Sequence, residues 1–166
     1  MGAFIVLHVL ISLVGIATGF VVIYGLIVSK RLDLWTAVFL ATTVLTSVTG
    51  FLIPADHFTP GHAFGILSMI ALAAALLARY PKKMAGPWRV TYILSAAFAQ
   101  YLNFFVLIVQ SFQKVPLLHD LAPTQSEGPF AASQLAALLL FIFLTVSAVR
   151  RFRPDSLAPA HTLANA

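Results

Sequence analysis

Five stretches of this chain run for about 20 residues with almost no charge inside them, and nothing else in the sequence limits its fold so strongly. They cover residues 4–29, 34–53, 61–80, 89–113 and 130–149. About 20 mostly apolar residues are what a helix needs to cross a hydrocarbon layer ~30 Å thick. Only 9% of the 166 residues are charged, and 60% are hydrophobic. A soluble domain, with about a quarter of its residues charged, covers itself with far more polar surface. The expected fold class is therefore an all-α integral membrane protein, a five-transmembrane-helix bundle over residues 1–153. Residues 154–166, rich in Pro and Ala, read as a disordered cytoplasmic tail. No Lys or Arg precedes the first run, so it reads as a retained span and not as a cleavable signal. The absence of cysteine excludes disulfides, thiolate metal ligands, iron–sulfur centres and haem attachment through a Cys pair.

The ends of the runs carry local signals. Asp33 is placed to cap the second span, with Trp35 at the headgroup level. Pro54 closes that span. Thr59-Pro60-Gly61 offers a capping hydroxyl ahead of a proline in the first helical position. Gly86-Pro87-Trp88 separates spans three and four.

Charge decides the expected orientation. Lys30 and Arg31 follow span one, Arg79, Lys82, Lys83 and Arg89 surround the loop after span three, and Arg150, Arg151 and Arg153 follow span five. If five spans alternate, these nine of the ten basic residues share one side, and Lys114 stands alone on the other with Asp56, Asp120 and Glu127. Basic residues stay cytoplasmic. The amino terminus is then outside and the carboxyl terminus inside. The charges lie at span ends and not on one surface, so the net charge of +5 does not point to nucleic acid.

Helical periodicity turns the polar residues toward particular faces. His8, Ser12, Gly15 and Gly19 share a face of span one, and Gly15 with Gly19 makes a G-x-x-x-G packing pair. On span two, Thr36, Thr43, Ser47 and Gly50 form a small-residue side, read first as helix packing. On span four, Tyr92, Ala96, Gln100, Asn103, Gln110 and Lys114 lie on one side. Amides are costly in hydrocarbon without partners. They serve either as interhelical hydrogen bonds or as the lining of a pocket for a quinone, lipid headgroup or similar amphipath. Tyr92, Gln100, Asn103, Gln110 and Lys114 are the pocket candidates.

Four histidines fall on the outer half: His8 in span one, His57 in a short loop, His62 in the first turn of span three, and His119 beside Asp120. Imidazole ligates haem iron, copper or zinc. His8 with His62 is the pair best placed for haem b, and a metal ion held by His8, His62, His57 or His119 is a further alternative. No His-x-x-x-His or His-Glu-x-x-His motif supports either. His161 lies in the tail, and Met69 reads as a core residue. Within the loop from Lys114 to Phe130, Val115, Leu117, Leu118 and Leu121 suit a short interfacial helix, and this loop is expected to cover a pocket floored by His8, His62, Gln110 and Lys114.

The run Thr42-Thr43-Val44-Leu45-Thr46-Ser47-Val48-Thr49-Gly50-Phe51 with Pro54, His57 and His62 resembles a group of small bacterial inner-membrane proteins without an assigned role. The run Tyr101-Leu102-Asn103-Phe104-Phe105-Val106-Leu107-Ile108-Val109-Gln110, with Phe112, Lys114, Pro116 and residues 121–127, is similar to the same group. The resemblance covers residues 40 to 150. It implies a multi-pass protein of the bacterial cytoplasmic membrane and carries no catalytic residue across.

The leading functional reading is a small non-enzymatic inner-membrane protein that binds an amphipathic ligand or supports a partner. The alternatives are a haem- or metal-binding redox subunit and an oligomeric transport component. Ser12, Ser47 and Ser68 lack a base with an orienting acid, so a hydrolase is disfavoured. Expected partners are membrane lipid and a homodimer or larger complex, through the Gly15–Gly19 face or the span-four stripe.

Overall fold

The computed structural model describes residues 2–54 and 57–153, and among them all regular structure is helical. In chain order the helices are α1 (Gly2–Ile27), α2 (Asp33–Phe51), α3 (Pro60–Arg79), α4 (Trp88–Lys114), α5 (Pro116–Leu121) and α6 (Gly128–Arg151). All but α5 are long and apolar enough to cross a membrane, which makes this a multi-pass membrane protein. The five long helices match the five apolar runs to within a few residues. The expected tail, His161 and Asp56 lie outside the described residues.

Short loops make successive long helices antiparallel neighbours. α1 packs along α2, α3 along α4, and the two pairs meet through α2 with α3 and α1 with α4. α6 lies outside this ring, against α4 and α1. A cluster of rings holds it there: Phe20 and Phe104 lie 5.5 Å apart, each 5.7 Å from Phe141 of α6. Such ring pairs contribute beyond the area they bury.

Packing is concentrated in the half of the bundle that carries the basic loops. Its core joins Leu26, Phe39, Leu72, Ala75, Ile93 and Ala99, and it extends over the loop residue Met84 to Phe152. Small side chains bring the backbones together here. A Cβ on Gly19 would run into the side-chain amide of Gln100, and one on Gly15 would come within 3.2 Å of Thr42 Oγ1. The Gly15–Gly19 face is thus consumed inside the chain, against α2 and α4, and a homodimer through it would have to open this packing. Thr36, Thr43 and Ser47 are buried as the small side of α2.

Charged groups close the basic end. Arg79 is only 6% exposed, yet its guanidinium pairs with Asp33 and lies 5.2 Å from the Tyr92 ring centroid. The Asp33 side chain itself remains largely exposed and also lies 3.7 Å from Arg31. The expectation that Asp33 caps α2 is therefore corrected. Asp33 is the first residue inside the helix, Leu32 holds the cap position without a side-chain bond, and the carboxylate is drawn to Arg79 because a buried guanidinium is costly without a counter-charge. Arg89 Nη1 donates to the carbonyls of Val149 at 2.9 Å and Phe152 at 2.8 Å, satisfying the otherwise unpaired end of α6.

Two substitutions test this packing. Gly19→Ala should destabilise the protein by about 1–3 kcal/mol, because Gln100 is fully buried and hydrogen-bonded and has nowhere to move. Gly15→Ala, which meets only a tight contact, should cost clearly less. Thermal unfolding in detergent would show a lower midpoint for Gly19→Ala. Equal midpoints would mean that α1 and α4 do not approach as described.

Candidate functional site

The other half of the bundle does not close. Between α1, α2, α3 and α4 it holds a cavity of about 620 Å³. His8, His62, Gln110 and Lys114 lie toward its mouth, and Ser47, Ser68 and Asn103 lie toward its floor. From Lys114 down to Asn103 is 11 residues of α4, or about 16 Å at the rise of an α-helix. That is roughly the depth of one leaflet. Between mouth and floor the walls are apolar, with Val9, Leu13, Phe64, Leu102, Val106 and Leu107 among them. Among the described lining residues Lys114 is the one Lys or Arg, and none is Asp or Glu.

Helix phase places these side chains. α1 brings His8 from its second turn, α3 brings His62 from its first, and α4 brings Gln110 and Lys114 in its last two turns. Because neighbours run antiparallel, these ends meet in one layer. Here the expectation of a single layer holds geometrically, but its role is corrected. The layer is the mouth of the cavity and not its floor. The loop after α4 does not close over it either. α5 forms, but beyond Lys114 only Val115 reaches the lining. The loop packs instead beside α4. Ala122 is buried, and Gln125 Nε2 donates to Val109 O at 2.8 Å.

The two histidines hold opposite tautomers. Thr49 Oγ1 donates its only proton to Leu45 O at 2.6 Å. Its 2.8 Å contact with His8 Nδ1 therefore needs Nδ1–H as donor, which leaves a lone pair on His8 Nε2. At His62 the backbone N–H of Thr59 donates to Nδ1 at 3.0 Å, completing a capping box in which His62 stands where Glu or Gln usually does. Nδ1 is then the acceptor and Nε2 carries the proton. The His62 ring also stacks 5.7 Å from Phe51 and lies 5.5 Å from Phe58.

This chemistry does not fit the His8–His62 haem pair. A ring that ligates through Nε2 keeps its proton on Nδ1 and donates it to a second group. His8, with Nδ1 bonded to Thr49, matches that pattern, but His62 does the reverse, its Nδ1 accepting from the Thr59 N–H. His57 sits with Phe51, Phe58 and His62 in a small aromatic cleft. His119 is exposed on α5 and does not line the cavity. Among the described residues no three His, Asp or Glu side chains converge on a point that could hold a metal ion.

The polar side of α4 divides by depth. Asn103, Gln110 and Lys114 line the cavity, and Asn103 Nδ2 donates to Thr43 Oγ1 at 3.3 Å. Gln100 lies beneath, wholly buried, with Nε2 donating to Ile16 O at 2.7 Å. Its Oε1 has no conventional partner. It occupies the place of a Gly19 Cβ and so faces the glycine Cα–H, a weak hydrogen-bond donor. Tyr92 is farther down, in the packed half beside Arg79. Gln100 and Tyr92 are thus packing residues here, and Gly50, assigned to packing from the sequence, lines the cavity. Sequence reasoning gave Ser12, Thr46 and Ser68 no ligand role, although all three line it. Their spacing from His8, His62 and Gly50 was the available signal.

No protein-family model, curated protein or solved structure matches the chain.

Glu127, at the start of α6, organises the end of the loop between α5 and α6. Desolvation raises the pKa of its carboxyl, but this is outweighed by hydrogen bonds from Thr124 Oγ1, Thr124 N–H and Ser126 N–H, and the pKa lies below the usual value. A lowered folded pKa means that the carboxylate supports this turn above its unfolded pKa and that the support fades as pH falls through the folded one. Amide exchange at Thr124 and Ser126, corrected for intrinsic rates, should therefore quicken as pH falls through the lowered pKa of the Glu127 carboxyl. The quickening should be absent in Glu127→Gln. Equal pH dependence in both proteins would remove this role.

Proposed function

We propose that this is a non-enzymatic protein of the bacterial cytoplasmic membrane that binds one amphipathic molecule of the bilayer. The observation that carries the reading is the cavity, with its apolar walls, its polar mouth and its depth of about one leaflet. Its volume of about 620 Å³ lies within the roughly 300–1,000 Å³ typical of small-molecule sites. The hydrophobic body lies along α1, α3 and α4. The head sits among Lys114, Gln110, the Nε2–H of His62 and the lone pair of His8 Nε2. The ammonium of Lys114, with the amide of Gln110 and the Nε2–H of His62 beside it, favours a head with acceptor or anionic oxygens.

The distribution of basic residues supports an orientation with the cavity mouth outside and both Arg79 and the carboxyl terminus in the cytoplasm. Because the chain has no cysteine, single introduced cysteines report sidedness cleanly. An impermeant maleimide should label Ser126→Cys in intact spheroplasts and Ala85→Cys only after permeabilisation. The reverse pattern would invert the protein.

The ligand reading is tested by filling the cavity. Detergent-purified protein should carry a single class of amphipath, extractable and identifiable by mass spectrometry, at about one per chain. Ser12→Phe places a ring in the cavity and should remove that molecule while leaving the thermal midpoint equal or higher, since an apolar void is filled. Retention of the same molecule by a folded Ser12→Phe protein would exclude this cavity as its site.

A further inference from the structure

We infer that the cavity takes an amphipath with a second hydrogen-bonding group on its hydrophobic body, a hydroxylated long-chain acyl compound, and that Thr46, Ser68 and Asn103 receive that group at the floor. The inference rests on the ligand reading above and specifies its chemistry.

Hydroxyls inside a membrane helix have a default partner, the carbonyl one turn back. The chain follows this rule widely. The hydroxyls of Thr18, Thr42, Ser47, Thr49, Ser95 and Ser111 donate to the carbonyl four residues earlier, at 2.6 to 3.0 Å. Not every hydroxyl follows it, and among the described residues Ser68 and Thr46 are the serine and threonine whose side-chain oxygens are buried with no hydrogen-bond partner, Ser68 being only 3% exposed. The same carbonyl position is present for each, on Phe64 and Thr42, and helical Thr readily occupies more than one rotamer for this purpose. These two buried, unpartnered hydroxyls sit on neighbouring helices, α2 and α3, and both residues line the cavity.

Asn103 completes the set from α4. Its Nδ2 is committed to Thr43, and its Oδ1 has no hydrogen-bond partner among the described residues. Three helices thus bring two hydroxyls and an amide to the floor of an otherwise apolar chamber. Hydroxyls both donate and accept, and an amide oxygen accepts. A hydroxyl on the ligand matches all three, whereas a plain alkyl chain would leave them unpaired. Ser68 lies 6 residues beyond His62 and Asn103 11 residues from Lys114, so the group stands about 9 to 16 Å from the head. The alternative occupant of the floor is a water molecule, which needs two to four polar partners and would find them here.

The experiment compares stearate with 12-hydroxystearate, titrated into the purified full-length protein in a neutral detergent and read by calorimetry. The hydroxy acid should bind about tenfold more tightly, the effect of one good hydrogen bond in a desolvated site. In Ser68→Ala and Thr46→Val the preference should shrink toward unity while stearate affinity stays constant. Neither variant removes an existing hydrogen bond of its side-chain oxygen, so thermal midpoints should not fall, and a folded control is assured by that measurement. Equal affinity for the two acids in the parent protein would overturn the inference in favour of water at the floor, while leaving the ligand reading intact. Failure of both acids to bind, or binding unaffected by Ser12→Phe, would overturn the ligand reading together with the inference.

Discussion

A hydrocarbon layer offers no hydrogen-bond partners, so a polar side chain within a span is costly unless the protein or a bound molecule supplies one. The bundle is arranged around that constraint. Most hydroxyls turn back onto their own helices. Gln100 reaches across to the backbone of α1, and this one bond from an amide to Ile16 O fixes how closely α1 and α4 approach. It requires glycine at position 19, because the amide occupies the space of a side chain. The buried Arg79 obeys the same rule at the basic end, where it draws Asp33 away from helix capping.

Once Gly19 and Gln100 bring the helices together, side-chain size settles the rest. Ala71, Ala75, Ala78, Ala96 and Ala99 continue the contact toward the basic loops and let α3 and α4 pack with little between them. Beyond Asn103 toward the other face the sequence turns bulky and polar, with Phe64, Val106 and Leu107 facing His8 and Ser12 across a gap. Close packing at one end and wide side chains at the other splay the four helices. The cavity is a consequence of that taper and needs no separate device to hold it open.

Much of this was legible beforehand. The five helices followed from the length of the apolar runs, and the layer of His8, His62, Gln110 and Lys114 from helical phase combined with antiparallel order. What escaped was depth. A stripe from Tyr92 to Lys114 looks uniform on a helical wheel, yet its lower part is packed against α1 and Arg79 and its upper part lines a void. Periodicity reports direction and cannot report the distance to the next helix, which depends on partners such as Gly19 that lie 81 residues away in the chain. The histidine tautomers were equally invisible, because they are set by Thr49 and by the Thr59 backbone and not by anything in the histidine spacing.

The same taper bears on the choice between binding and transport. A transport route must continue past the cavity floor. Below Asn103 the way is filled by Gln100 and then by Phe39, Leu40, Leu72, Ala75 and Ala96, all nearly inaccessible. Beyond them stands the Arg79 guanidinium, which would oppose a cation arriving from above. Opening this layer would break the close contact that Gly19 and Gln100 maintain between α1 and α4. A chamber reached from one leaflet and sealed by its own best-packed region can hold a molecule and release it to the side from which it came. On these grounds the arrangement of small and polar side chains accords better with the proposed binding than with passage through a single chain, the packed half offering a rigid base and the other half the cavity.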